Sequence, residues 1–266
     1  PMATHYEQIL ENVRSKLLLM GQLSIDSLRL SLQALLDKDT ELASKVRAKD
    51  KEIDTLENEL INDVNVCLST HAPVAGDLRL LVTTMKISHE IERVGDEAKT
   101  IARRSKKTAV NDFHLIPKMA ESAQEMLKDA LSVFVEYDED KAKAIWTKDL
   151  EIDAMNLENN QFCQALVIKD IHLVSSIFEL LFISKSLERI ADHAVNISKE
   201  AVFLATSRDI RHAPEFKKSY LKKISIKSLL TTQILFAQKN FVYIIRSSSL
   251  IPIFPSQSSK CPQAYP

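Results

Sequence analysis

The chain repeats itself once, and this internal duplication is the feature that most constrains its fold. A shift of 99 residues aligns residues 49–54 with 148–153, and a shift of 96 aligns residues 92–101 with 188–197. We assign the three-residue difference between the shifts to the loop before the third helix of each copy. A repeat of this length indicates a duplicated domain, because solenoid units are much shorter.

Both copies have the sequence pattern of helices. The 266 residues include only three Gly, and aromatic residues make up 6% of the chain, which is typical of an all-helical protein. Apolar residues at helical spacing predict helices over about 6–36, 41–69 and 77–105 in the first copy, and 117–136, 138–169 and 173–205 in the second. We therefore predict an all-α fold of two tandem antiparallel three-helix bundles.

The repeat also predicts the domain boundaries. The first bundle is expected over residues 5–105 and the second over 117–212, with a polar linker at 106–116. Residues 213–266 match neither copy and are rich in basic residues, Ser and Pro. Three interpretations of this segment stay open: a weakly ordered basic tail, an artefact such as a frameshift, and a membrane-surface helix near residues 220–236.

Charge and hydropathy narrow the class of protein. Residues 1–214 carry 35 acidic and 27 basic side chains, and an acidic body argues against a nucleic-acid-binding protein. No segment reaches the ~18 apolar residues of a membrane span. Polar residues near the N-terminus (His5, Glu7 and Glu11) do not fit a signal peptide, and the three dispersed cysteines indicate reduced thiols. We expect a cytoplasmic protein.

The repeated acidic pairs predict metal sites. Side chains four residues apart lie on one face of a helix, with β-carbons roughly 5–6 Å apart, so two facing helices gather four carboxylates. Their oxygens suit Mg²⁺, Mn²⁺, Fe²⁺ or Zn²⁺. Lys99 is taken as the counterpart of Asn196, which predicts two unequal sites. The candidate ligands are Asp50, Asp54, Glu92 and Asp96 in the first copy, and Asp149, Asp153, Glu188, Asp192 and Asn196 in the second.

Other interpretations of the acidic faces stay open. Acid pairs are common on solvated helices, and Arg93 and Arg189 can form salt bridges with their neighbouring Glu residues, so an adaptor without metal is one alternative. A helical-bundle metal-dependent enzyme or metal store is another. Against catalysis, the sequence has no Glu-x-x-His pair, no Gly-rich phosphate loop and no nucleophile elbow. His89 is interpreted as a helix-surface residue, whereas Glu57 can join the first site.

The same motifs resemble those of the PhoU family of phosphate-uptake regulators, and the resemblance spans both repeats, over about residues 5–212. Its elements are the Asp-x-x-x-Asp and Glu-Arg-(Ile/Val)-(Gly/Ala)-Asp segments of both copies, Pro-x-x-x-Asp-Leu-Arg at 73–79, and Arg-Asp-Ile-Arg-His at 208–212.

The resemblance implies a non-catalytic cytoplasmic regulator of phosphate import. Its implied partners are the ATPase of the phosphate ABC transporter and the phosphate-sensing histidine kinase, and a homodimer is compatible with this role. It also implies metal on the acidic motifs, which correspond to the eight Asp and Glu candidates named above. Residues beyond 212 have no counterpart in the family pattern.

Overall fold

Residues 4–207 are described by a computed structural model, and they form six long helices and no β-strand. The prediction of an all-α fold is therefore confirmed, and the predicted helix ends lie within a few residues of those found. The helices are α1 (His5–Asp37), α2 (Thr40–His71), α3 (Ala75–Ser105), α4 (Ile116–Val135), α5 (Glu139–Lys169) and α6 (Val174–Thr206), with a 3₁₀ turn at Ile171–Leu173 before α6.

The second helix of each bundle starts directly after a short reversal, at an aspartate that caps it. The Asp39 carboxylate accepts hydrogen bonds from the backbone N–H groups of Glu41 and Leu42, at 2.7 and 3.2 Å. Asp138 does the same for the N–H of Lys141 at 2.9 Å. Such caps satisfy backbone donors that have no partner within the helix, so they fix where α2 and α5 begin.

The helices form two three-membered groups around apolar interiors. Helices α1, α2 and α3 contact one another pairwise, and α4, α5 and α6 do the same. Buried side chains fill both interiors, among them Leu17, Ile53, Ile91, Ile152 and Ile190. The predicted arrangement of two tandem three-helix bundles is thus confirmed.

The two bundles also pack against each other, chiefly through α3 and α6 and additionally through α1 and α4. A β-carbon on Gly21 would lie 2.4 Å from Cδ1 of Leu131, so the missing side chain lets α1 approach α4 closely. Ion pairs of lysine or arginine with a carboxylate bridge α3 and α6: Arg104 with Glu179 at 2.8 Å, Lys86 with Glu200 at 3.2 Å, and Glu97 with Arg189 at 3.1 Å.

The segment between the bundles is more closely packed than a polar linker suggests. Val110 and Phe113 are buried, and the backbone N–H of Ala109 donates to the Ser176 hydroxyl of α6 at 3.0 Å. Helix α4 already begins at Ile116. The connection therefore contributes two apolar side chains to the core, which periodicity over so short a stretch does not reveal.

Two sequence predictions fall on other parts of the chain. The last five residues assigned to the second bundle, 208–212, and the basic segment 213–266 lie outside the described residues. Within residues 4–207, no helix combines the length and the apolar character needed to cross a membrane.

Candidate metal centres

The first acidic face lies between α2 and α3, where a glycine brings the helices together. Asp50 and Asp54 are on α2, and Glu92 and Asp96 are on α3. A β-carbon on Gly95 would lie 3.1 Å from Cδ1 of Ile53 and 3.8 Å from Oδ1 of Asp50. Because α2 packs this closely over Gly95, the carboxylates of the two helices face each other, as the sequence predicts for this copy.

Lys99 occupies one end of this face. Its Nζ lies 2.6 Å from Oδ2 of Asp50 and 2.8 Å from Oδ1 of Asp96. Burial alone would lower the pKa of Lys99, but its hydrogen bonds to the two carboxylates outweigh this effect and raise the pKa. Asp50 is only 4% exposed. The ammonium group therefore supplies a fixed positive charge to a buried carboxylate.

The pairing of Lys99 with Asn196 in the sequence comparison is wrong. The shift of 96 that aligns Glu92 with Glu188 places Asn196 opposite Thr100, and Lys99 opposite Val195. Lys99 is therefore an additional cation of the first bundle, with an apolar counterpart in the second. The two faces are still predicted to differ, but the reason is that the first face has a lysine where the second has a valine, not that an Asn is exchanged for a Lys.

The other carboxylates of the first face influence one another. Burial, followed by the charge of Asp96, raises the pKa of Glu92 to about 7. Burial and the charge of Asp50 likewise raise the pKa of Asp54. For Asp96, burial is outweighed by the hydrogen bond from Lys99, and its pKa is lowered. Several acids crowded in a partly buried site disfavour full ionisation, so an added cation would relieve their repulsion.

Two residues outside the acidic motifs join this face at the end away from Lys99. His89 Nδ1 lies 3.6 Å from Oε1 of Glu57, and possible ligand atoms of Glu57, His89 and Glu92 all lie within 4.8 Å of one another. The sequence analysis named Glu57 as a possible member of the first site, but it missed His89 because the order here is His89-x-x-Glu92 rather than Glu-x-x-His. Either order places the two side chains one helical turn apart, so a search in both directions finds His89.

The second acidic face lies between α5 and α6. Asp149, Asp153 and Glu188 are 5%, 3% and 1% exposed, so it is more deeply buried than the first. The Ser184 hydroxyl of α6 donates to Oδ1 of Asn156 on α5 at 2.7 Å. This hydrogen bond lies about one helical turn from Asp153 on α5 and from Glu188 on α6, and it holds the two helices in register there. Lys185 forms an ion pair with Glu188.

Asn196, the one candidate ligand that is not an acid, lies at the contact between the bundles. Its amide N–H donates to Oε2 of Glu90 on α3 at 3.2 Å, and Nδ1 of His193 lies 2.6 Å from the same oxygen. Although burial opposes it, hydrogen bonding by these two residues lowers the pKa of Glu90. Arg189 also reaches across to α3, where its Nη1 lies 3.1 Å from Oε1 of Glu97.

The donor sets of both faces fit a divalent cation. Each face gathers carboxylate oxygens on two neighbouring helices, and burying such charges is costly unless a cation compensates them. In each bundle a lysine already supplies part of the compensating positive charge: Lys99 in the first and Lys185 in the second. The carboxylates named from the sequence therefore offer the oxygen donors that divalent cations prefer, with one end of each face partly neutralised by the protein itself. Among the described residues, the donor atoms found within 4.8 Å of one another are those of Glu57, His89 and Glu92.

Comparison with known proteins identifies the family. The PhoU domain model matches residues 17–105 and 116–201, one match in each bundle. A phosphate-specific transport system accessory protein PhoU homolog from Zymomonas mobilis is 36% identical over 211 residues, covering 77% of this chain and 88% of that protein. Its Pseudomonas aeruginosa counterpart is 31% identical over 208 residues, covering 76% and 86% of the two chains.

Solved structures agree with this result. The crystal structure of PhoU from Pseudomonas aeruginosa matches with a TM-score of 0.72 and 29% identity, covering 77% of this chain and 100% of that one. The phosphate transport system regulatory protein PhoU from Streptococcus pneumoniae matches with a TM-score of 0.69 and 26% identity, covering 77% and 98%. Since the family model matches both bundles and the relatives are covered over most of their length, this chain belongs to the PhoU family.

Proposed function

We propose that this protein is a cytoplasmic accessory regulator that restrains phosphate uptake and phosphate-starvation signalling when phosphate is plentiful. The observation that carries the proposal is the match of both bundles to the PhoU domain, together with 88% coverage of the Zymomonas mobilis accessory protein. Since nearly the whole relative is represented, its accessory role in phosphate transport transfers to this chain as a unit.

We further propose that it acts by protein–protein contact rather than by catalysis. Its partners would be the ATPase of the phosphate ABC transporter and the phosphate-sensing histidine kinase, and a homodimer is compatible with both contacts. The acidic faces lie between α2 and α3 and between α5 and α6, so the charge state of each face affects how two long helices pack. A change in that packing would alter the surface offered to a partner.

Metal on the acidic faces is part of the proposal. Asp50, Asp54, Glu92 and Asp96 would hold it in the first bundle, and Asp149, Asp153, Glu188 and Asp192 in the second. The metal would supply positive charge that offsets repulsion among these carboxylates. The chain's own contribution is to hold the acids on facing helices, with Gly95 permitting the close approach in the first bundle.

The regulatory role is tested in cells that lack their own copy of the gene. We expect the full chain to lower phosphate uptake and a phosphate-starvation reporter in phosphate-rich medium. Purified chain should also retain the transporter ATPase and the sensor kinase in binding assays. Unchanged uptake and reporter activity, with neither partner retained by a folded and abundant protein, would contradict the proposal.

The metal part is tested with Asp54→Asn combined with Asp153→Asn. We expect less bound metal and a lower unfolding temperature, because one ligand is lost from each face. The matched control is Glu52→Gln with Glu151→Gln, which changes the same charge at exposed, repeat-equivalent neighbours. Unchanged metal content and stability in the Asp variant would rule out the ligand assignment. Substrate turnover, or binding of many ions per chain, would favour the enzyme or metal-store alternative.

A further inference from the structure

We propose that the first bundle holds a transition-metal site built by Glu57 of α2 with His89 and Glu92 of α3, at the end of the acidic face opposite Lys99. This His89 site adds an imidazole ligand to a face that the repeated motifs describe as purely carboxylate. The inference concerns ligand chemistry alone and does not depend on which proteins the chain regulates.

The geometry of the three side chains suits a shared ion. Their possible ligand atoms lie within 4.8 Å of one another, and Nδ1 of His89 lies 3.6 Å from Oε1 of Glu57. An ion bound at about 2.1 Å by each ligand holds those atoms roughly 3.4 Å apart. Small rotations about side-chain bonds close the difference, since both helices already face each other.

The three side chains of the site differ in solvent exposure, and the most exposed one marks the side from which an ion can enter. The side chains of Glu57 and Glu92 are 16% and 17% exposed, whereas that of His89 is 58% exposed. The two carboxylates therefore lie deeper in the site, and the imidazole lies nearer the solvent. Arg93, which is 51% exposed and lies 3.4 Å from Oε2 of Glu92, can turn towards solvent when the carboxylate takes up a metal ion.

The second bundle carries a positively charged side chain at the equivalent position. The shift of 96 places Lys185 opposite His89 and Glu188 opposite Glu92, and the shift of 99 places Asn156 opposite Glu57. In the second bundle Lys185 forms an ion pair with Glu188, so an ammonium group fills the place that His89 borders in the first. Where that lysine is replaced by histidine, the same charge can be provided by a metal.

The two faces are therefore neutralised from opposite ends. In the first bundle the fixed cation is Lys99, between Asp50 and Asp96, and its counterpart in the second bundle is Val195. In the second bundle the fixed cation is Lys185, whose counterpart is His89. A metal ion at the His89 end therefore adds positive charge where the first bundle has no such lysine, whereas Lys99 already neutralises part of the other end.

The ligand set indicates the class of metal. Imidazole favours Zn²⁺, Fe²⁺, Co²⁺ or Ni²⁺, whereas all-oxygen sites suit Mg²⁺ and Ca²⁺. One imidazole with two carboxylates therefore prefers a first-row transition ion to Mg²⁺. The His89 site thus predicts a metal preference that differs between the two bundles of the same chain.

The test uses the full chain, stripped of metal and titrated with Co²⁺, whose visible absorption changes when a nitrogen ligand replaces oxygen. We expect His89→Ala and His89→Lys each to remove a nitrogen-ligated Co²⁺ spectrum and to weaken one Zn²⁺-binding step at least about tenfold. His89→Lys reproduces the arrangement of the second bundle. His172→Ala, at an exposed histidine outside the site, should leave both readouts unchanged.

Two outcomes would overturn the inference: wild-type protein that binds no nitrogen-ligated Co²⁺, or a His89→Ala variant whose spectrum and Zn²⁺ affinity equal those of wild type. Because His89 is largely exposed, both variants should fold, and thermal unfolding of the metal-free proteins verifies this. The result stands apart from the regulatory proposal, which fails on partner binding and phosphate uptake in cells rather than on metal spectra.

Discussion

Replacing Lys99 by Met tests whether the lysine neutralises the first acidic face. The change removes the ammonium group 2.6 Å from Oδ2 of Asp50 and 2.8 Å from Oδ1 of Asp96, while Met retains most of the apolar stem. Asp50 is 4% exposed, so it would be left as a buried carboxylate without this cation. We expect the metal-free protein to become less stable.

The size of the effect follows from the exposure of the partners. Breaking a fully buried pair costs about 3–5 kcal/mol, but the side chains of Lys99 and Asp96 are 38% and 37% exposed, so water screens part of the interaction. We therefore expect a loss of about 2–3 kcal/mol. For a domain of this size, that loss corresponds to a decrease in unfolding temperature of roughly 4–12 °C.

The assay is thermal unfolding of the full chain in the presence of a chelator. Lys51→Met is the matched control, because Lys51 is exposed and lies next to Asp50 on α2; it should change the free energy of unfolding by less than about 0.5 kcal/mol. Combining Lys99→Met with Asp50→Asn should cost less than the sum of the single changes, by at least about 1 kcal/mol, since the two residues interact directly.

Addition of Mn²⁺ extends the same test. A divalent cation can take the position of the missing ammonium group, so saturating Mn²⁺ should raise the unfolding temperature of Lys99→Met more than that of wild type. The reasoning is refuted if Lys99→Met matches the control in stability. Strict additivity with Asp50→Asn, or equal stabilisation of both proteins by Mn²⁺, would refute it as well.

Two further predictions concern packing contacts outside the acidic faces. Burial, together with the hydrogen bond from the Tyr6 hydroxyl to Oδ2 of Asp77 at 2.9 Å, raises the pKa of Tyr6 to about 12. Unfolded tyrosine ionises near pH 10, so this contact stabilises the fold below pH 10, and its contribution to the free energy of unfolding is lost as pH rises towards 12. In an absorbance titration, the tyrosinate step at the highest pH should therefore vanish in Tyr6→Phe. Persistence of that step would contradict its assignment to Tyr6. Arg104 lies 2.8 Å from Glu179 and 4.0 Å above the Phe182 ring. Arg104→Met should therefore lower the free energy of unfolding by about 2–3 kcal/mol. A double-mutant cycle with Glu179→Gln measures the coupling between the two side chains, and zero coupling would disprove the interaction.

The helices and their order were predictable because the relevant signals are local. Apolar spacing marks the buried side of each helix, and caps such as Asp39 and Asp138 lie within three residues of the backbone groups that they satisfy. The duplication then provided the number of bundles. The candidate ligands on α2 and α3 could also be anticipated, since residues four apart share a face whatever the rest of the chain does.

The partners of individual side chains could not be derived in this way. Lys99 reaches Asp50 on another helix, and Asn196 reaches Glu90 in the other bundle. His89 approaches Glu57 because α2 and α3 pack with a particular rotation and axial register. These quantities depend on how side chains of distant segments interlock, including the close approach at Gly95, and no local pattern encodes them.

The sequence alone therefore determined that the chain forms two copies of a three-helix unit and that each copy carries acids on two of its helices. The tertiary structure decided which charges meet: a lysine at one end of the first face, a histidine at the other, and a lysine at the His89-equivalent end of the second. The physical reason is that helix formation depends on neighbours within one turn, whereas the electrostatics of a site depend on distances between helices, which only packing sets.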